Sequence, residues 1–204
     1  MKIAGAILAG GEGRRMGGGD KPSLELGGRR LIDHVVARLQ PQVATVALSA
    51  NGDPARYADL GLNILADEPA YRAGPLAGLA TMLRHFTRQP DLTHLVTVPA
   101  DAPFMPSDLI ARLSDALGNG AEVSVAQSGE RAHPVVGIWP IDLLKRLETH
   151  LAQTRELSIM AFLETIEWQA VTFSHGDGVD PFLNVNTPDD LAYARSLVEG
   201  RTRS

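Results

Sequence analysis

Nine of the chain's 20 glycines fall within its first 28 residues, and three basic side chains, Arg14, Arg15 and Lys21, stand among them. Glycine at that density costs folding entropy, so a ligand is expected to compensate. The run Leu8-Ala9-Gly10-Gly11-Glu12-Gly13-Arg14-Arg15-Met16-Gly17 directly follows a short apolar segment. Exposed backbone N–H groups in such a loop bind anions, and Lys and Arg add charge, so a phosphate is the first candidate. Two familiar glycine loops do not fit. A P-loop needs a Gly-Lys pair, but Lys21 follows Asp20; a dinucleotide loop needs a third glycine where Met16 stands. The competing reading is a plain surface loop.

Further along, single polar residues close three other apolar runs: Asn51, Asp67 and Asp101. Each alone is equally readable as a residue that caps a helix or closes a turn. Asp101 stands out because Pro99 and Pro103 flank it and fix its direction. A rigid carboxylate there suits Mg²⁺, which binds through one or two carboxylates plus substrate phosphates. Gly74 and Gly78 open a helical segment, where glycine permits close approach of a ligand or of a strand. Asn184 and Asn186 alternate ahead of another helix, which directs both amides to one side. His133, beside Pro134, reads as structural. No Ser–His–Asp arrangement and no His/Cys metal spacing stands out, so hydrolase and zinc chemistry are disfavoured.

The elements that must position these residues are short and regular. Apolar runs at Ile3–Ala9, Val43–Ala50, Leu62–Ala66, Leu95–Val98, Val123–Ala126, Val135–Trp139 and Trp168–Phe173 read as buried strands. Helical faces lie between them: Leu31/Ile32/Val35/Val36/Leu39, Leu76/Leu79/Ala80/Leu83/Phe86, Leu109/Leu113/Leu117 and Leu143/Leu144/Leu147/Leu151. The last helix begins at an N-cap, Thr187, with Pro188 in its first turn and Asp190 three residues after the cap, and Gly200 is its expected stop. Alternating strands and helices predict an α/β fold with a mostly parallel sheet. Ligands of such sheets bind beyond the carboxyl ends of the strands, where the polar residues above fall.

Composition narrows the function classes. The 204 residues suit one domain, taken as 1–200 with a frayed tail at 201–204. The net charge of −5 argues against a nucleic-acid partner. No apolar run is long enough to span a membrane, and the N-terminus lacks signal-peptide features, so a cytoplasmic location is expected. Cysteine is absent, which removes disulfide and thiolate chemistry.

Taken in order, LAGG-x-G-x-RMGG-x-DK, GPLAGL, PADAPFMPSDL, GERAHP and NVNTPDDLA resemble the molybdenum cofactor guanylyltransferase family over residues 3–195. The glycine loop alone is shared by many nucleotidyltransferases; its combination with NVNTPDDLA is more specific. The resemblance implies a Rossmann-like three-layer α/β/α sandwich of the nucleotide-diphospho-sugar transferase type. It implies transfer of GMP from GTP to the phosphate of molybdenum-molybdopterin, release of pyrophosphate, and a requirement for Mg²⁺. Carried onto this chain, Leu8, Ala9 and Gly10 line the GTP site with Gly11 close by, and Lys21 holds phosphates. Asn51 and Asp67 contact the nucleoside, Asp101 binds Mg²⁺, and Asn184 and Asn186 lie on the pterin side. Gly74 and Gly78 complete the expected nucleotide site, and Lys21, Arg15 and Asp101 are the expected catalytic set. Substrates aside, the expected partners are transient ones, molybdenum-insertion proteins and molybdoenzymes. The segment Thr154–Ser158 departs from the family, with Arg155 its single basic residue. Rival readings are a cytidylyltransferase or other transferase of the same fold, and a non-catalytic nucleotide-binding regulator.

Overall fold

The computed structural model describes residues 1–9, 21–68, 74–154, 156–174 and 178–202. Strand β1 (Ile3–Leu8) is buried along its whole length. Such an unbroken apolar run belongs at the centre of a sheet covered on both faces. It pairs in parallel with β4 (Thr45–Ser49) on one side and β6 (His94–Pro99) on the other. Adding β5 (Asn63–Leu65), β7 (Val123–Ser128), β8 (Arg131–Pro140) and β9 (Trp168–Phe173) gives a seven-stranded sheet of order β5-β4-β1-β6-β8-β7-β9. Within this sheet β8 pairs antiparallel with both of its neighbours, whereas every other pairing is parallel.

Side chains alternate across the sheet and feed two cores. Ile3 and Ile7 of β1 and Val46 and Leu48 of β4 join α1 (Leu31–Leu39) and α3 (Leu109–Leu117) through Ile32, Val35, Leu109 and Leu113. Ala4, Ala6 and Leu8 face the opposite layer, formed by α2 (Pro75–Phe86), α4 (Leu144–Gln153) and α5 (Ile159–Leu163). Leu76, Leu79, Leu83 and Phe86 of α2 are all but completely buried. Each contributes about 1.5–3 kcal/mol of apolar burial, which anchors the helix on the sheet. The result is the expected three-layer sandwich.

Several features differ from the sequence expectations. A small hairpin, β2 (Glu25–Leu26) and β3 (Arg29–Arg30), precedes α1. Gly27 and Gly28 form its turn with φ of 59° and 78°, which suits a Gly-Gly hairpin connection. β8 starts at Arg131, four residues before the predicted Val135, because the hairpin with β7 extends the ladder. The short helix α5 was not foreseen; it is capped by the Ser158 hydroxyl, which accepts from the Ala161 N–H at 3.2 Å. The last helix, α6 (Pro188–Thr202), runs through Gly200 instead of stopping there. Its start is as predicted: Asp190 accepts from the Thr187 N–H at 2.8 Å and donates its own N–H to the Thr187 hydroxyl at 3.1 Å. α6 packs with Leu26, Leu31 and Val185 in a third, small core through Leu191 and Ala194.

Candidate active site at the carboxyl edge of the sheet

Because β1, β4, β5 and β6 run in parallel, their carboxyl ends share one edge. The ladder continues one residue past three of these strands. Ala9 N–H donates to the Ser49 carbonyl at 2.8 Å, Ala50 N–H to that of Leu65 at 2.9 Å, and Ala100 N–H to that of Leu8 at 3.1 Å. Leu8, Ala9, Ala50 and Ala100 are therefore fixed by the sheet. The polar residues that follow, Asn51 and Asp101, leave it from a rigid base.

Two polar groups form on this edge. The first is built on Asp67. Its Oδ1 accepts from the Ser49 hydroxyl at 2.9 Å and its Oδ2 from the Asn51 side-chain amide at 2.9 Å. The pair is reciprocal, since the Asp67 N–H donates to Asn51 Oδ1, also at 2.9 Å. Arg56 donates to the Asn51 carbonyl at 2.7 Å and stiffens the same turn. Gly78 faces this group from α2. A Cβ at Gly78 would lie 3.3 Å from Ser49 Oγ, 3.4 Å from Leu8 Cδ2 and 3.7 Å from Asp67 Oδ1. The close approach at Gly78 is thus made by strand ends. Gly74 stands immediately before α2 with φ of 140°, a conformation that favours glycine.

The second group joins three distant parts of the chain. Lys21 Nζ donates to Asp101 Oδ2 and also to Asn186 Oδ1. The Val185 N–H donates to the Asp101 carbonyl at 3.0 Å, which ties the Asn184–Asn186 segment to the end of β6. Asp190 holds the other flank by accepting from the Asn186 N–H at 2.9 Å. Burial pushes the Asp190 carboxyl up, but those backbone and Thr187 hydrogen bonds, aided by the Lys21 charge, bring it below the ordinary carboxylate value. Asn184 Oδ1 is buried and has no hydrogen-bond partner among the described residues. A buried acceptor left so is costly and calls for a donor. The two amides therefore differ: Asn186 is engaged by Lys21, whereas Asn184 Oδ1 has no partner among the described residues.

The expected site residues Leu8, Ala9, Lys21, Asn51, Asp67, Gly74, Gly78, Asp101, Asn184 and Asn186 all have positions in the structure. Gly10, Gly11 and Arg15 lie outside the described residues, as does Arg155. His133 is buried, with Nε2 2.7 Å from the Ser128 hydroxyl and its ring 4.9 Å from that of Phe182, in keeping with the structural reading. Among the described residues no group of three or more His, Cys, Asp or Glu could by itself hold a metal ion. No described helix is long and apolar enough to cross a membrane. Ser49, which donates to Asp67, was not among the expected site residues. The available signal was a hydroxyl at the last position of a largely apolar strand.

A parallel sheet with polar groups grouped at its carboxyl edge and a helix start above them is a nucleotide-binding arrangement. Residues 5–170 match the MobA-like NTP transferase domain. The chain is thus a nucleotidyltransferase of that class, with the nucleotide-diphospho-sugar transferase fold. It is 48% identical over 198 residues to a molybdenum cofactor guanylyltransferase of Cereibacter sphaeroides (strain ATCC 17029), covering 97% of this chain and 98% of that one. It is 41% identical over 203 residues to another from Mesorhizobium japonicum, covering 98% of each. Within the class, the chain belongs to the molybdenum cofactor guanylyltransferase family, a family of molybdenum cofactor biosynthesis. Solved structures share the fold at low identity. Molybdopterin-guanine dinucleotide biosynthesis protein A of Archaeoglobus fulgidus superposes with a TM-score of 0.75 at 24% identity, covering 98% of this chain and 100% of that one. A 4-diphosphocytidyl-2C-methyl-D-erythritol synthase of Anaerococcus prevotii gives 0.73 at 14% identity, covering 97% and 98%.

Proposed function

We propose that this enzyme transfers GMP from GTP to the terminal phosphate of molybdenum-molybdopterin, forming the guanine dinucleotide cofactor and releasing pyrophosphate. The observation that carries the reading is the pairing of the two polar groups on one sheet edge within a chain of this family. A phosphate oxygen of the pterin attacks the α-phosphorus of GTP in line, and the bond to the bridging oxygen of pyrophosphate breaks. A phosphate is already a nucleophile, so no strong general base is needed. Positioning and charge neutralisation then account for the rate.

Each residue has a part in that scheme. Leu8, Ala9 and Gly10 line the GTP site with Gly11 close by, and Gly74 and Gly78 belong to it from the start of α2. Lys21 and Arg15 neutralise charge as pyrophosphate leaves. Asp67, oriented by Asn51, meets the nucleoside: its two oxygens suit two parallel donors, such as N1–H and N2–H₂ of guanine. Asn184 and Asn186 face the pterin side, where the open Asn184 acceptor suits the amino or N–H groups of a pterin. The donor set fits Mg²⁺, since a single carboxylate, Asp101, together with substrate phosphates is how that ion is commonly held. The ion would supply further charge neutralisation to the triphosphate. Lys21 must then exchange Asp101 for phosphate when nucleotide arrives.

Calorimetric titration with GTP, CTP, ATP and UTP in the presence of Mg²⁺ tests the reading. Strong selectivity for GTP is expected. Equal binding of all four, or a preference for CTP, would overturn it in favour of a sister transferase.

A further inference from the structure

We infer that Ser49 is a positioning residue for base selection, acting through Asp67; the inference rests on the reading of Asp67 as the residue that meets guanine. An aspartate carboxyl turns about a broad terminal torsion and is not oriented by its backbone alone. Here it is held from both sides, by the Ser49 hydroxyl on Oδ1 at 2.9 Å and the Asn51 amide on Oδ2 at 2.9 Å. Asn51 is itself fixed by the Asp67 N–H, so that half of the clamp forms within the edge loops. Ser49 supplies the other half from the sheet. It is the last residue of β4, is 1% exposed, and pairs in register with Leu65.

An ionised carboxylate offers about four acceptor sites, two on each oxygen. Ser49 and Asn51 occupy one site on each. One site per oxygen is left, and the two remaining sites suit a pair of adjacent, parallel donors. Guanine offers such a pair at N1–H and N2–H₂. Hypoxanthine retains N1–H but has no 2-amino group, and so engages one oxygen instead of two. Without the Ser49 hydroxyl, the carboxylate is held at Oδ2 alone and can turn about that bond. Selection by two donors over one then weakens, while single hydrogen bonds persist.

Gly78 supports the same arrangement. Its bare Cα faces Ser49 Oγ, and a methyl there would crowd the hydroxyl at 3.3 Å while lying in ordinary contact with the carboxylate at 3.7 Å. The hydroxyl therefore sits in a slot bounded by α2 that keeps it aimed at Asp67.

The test measures Kd for GTP and ITP on the full-length enzyme carrying Ser49→Ala, Asp67→Asn or both, with thermal unfolding as a folding check. Wild type is expected to prefer GTP. Ser49→Ala should lower the preference for GTP over ITP by about threefold to tenfold, on the scale of a weakened hydrogen bond to a charged group. In the Asp67→Asn background the same change should add nothing, because the two act as one unit. Ser49→Cys, which keeps the volume with a weaker donor, should fall between wild type and Ser49→Ala. If Asp67→Asn retains the wild-type preference, the underlying reading of Asp67 fails. If Asp67→Asn abolishes the preference and Ser49→Ala does not change it, the inference about Ser49 fails. Equal losses of GTP and ITP binding in Ser49→Ala, or additive effects in the double variant, would also overturn it.

Discussion

Replacing Lys21 with alanine should have opposite effects on two ligands. Lys21 Nζ is bound to Asp101 and Asn186 in the structure, so a divalent ion must compete with it for the Asp101 carboxylate. Two unit charges about 4 Å apart interact by about 4 kcal/mol at an effective dielectric constant of about 20. Fully exposed pairs retain less than about 1 kcal/mol. The Lys21 and Asp101 side chains are 18% and 17% exposed, which places this pair between those limits. An interaction of about 1.4–2.8 kcal/mol corresponds to about 10- to 100-fold in an equilibrium constant. Lys21→Ala should therefore bind Mn²⁺ about 10- to 100-fold more tightly than wild type in the absence of nucleotide, measured by electron paramagnetic resonance of the free ion. The same variant should bind GTP more weakly by calorimetry, because a phosphate-binding cation is gone. Asp101→Ala is the control and should lose Mn²⁺ binding together with about 10²-fold of turnover, the scale of removing one preorganised electrostatic group. Unchanged or weaker Mn²⁺ binding in Lys21→Ala would refute the competition.

Two further outcomes test the fold around the site. Burial lowers the His133 imidazole below its ordinary value, partly opposed by Asp180 and assisted by the Arg131 charge; burial likewise lowers His85 and His94. The unfolded chain then takes up protons near pH 6.5 while the folded chain does not, so stability is full above that pH and declines as pH falls below it. Thermal midpoints measured from pH 7.5 to 5.5 should fall for wild type and fall less for His133→Gln; a flat wild-type profile would contradict the assignment. At Gly137 of β8, a methyl would sit 2.8 Å from the Ser124 carbonyl oxygen of the neighbouring strand. Gly137→Ala should cost about 1–3 kcal/mol in urea unfolding, as overpacking does, and an unchanged midpoint would show that the β7–β8 ladder yields more readily than its geometry indicates.

Much of the architecture was legible because its signals are local. Unbroken apolar runs such as Ile3–Leu8 mark strands covered on both faces, and the spacing of Leu76, Leu79, Leu83 and Phe86 marks a helix with one buried side. Thr187 and Asp190 announced the start of α6, because a capping box is made within four residues. The β2–β3 hairpin was equally local at Gly27-Gly28, yet the glycines crowded around it hid the turn in a longer loop. The antiparallel course of β8 was not legible, since an apolar run carries no mark of its direction.

The residue types at the strand ends were likewise determined by the sequence alone: a lysine after a glycine loop, carboxylates at 67 and 101, amides at 51, 184 and 186. Which of them meet was decided by the tertiary structure. Lys21 reaches Asp101 across 80 residues and Asn186 across 165, and nothing in the intervening chain encodes those distances. Ser49 became a partner of Asp67 only once β4 and β5 paired in register and Gly78 left room above them. Periodicity and capping are set by neighbours along the chain. Contacts at a sheet edge depend on strand order and register, which emerge only when both cores close.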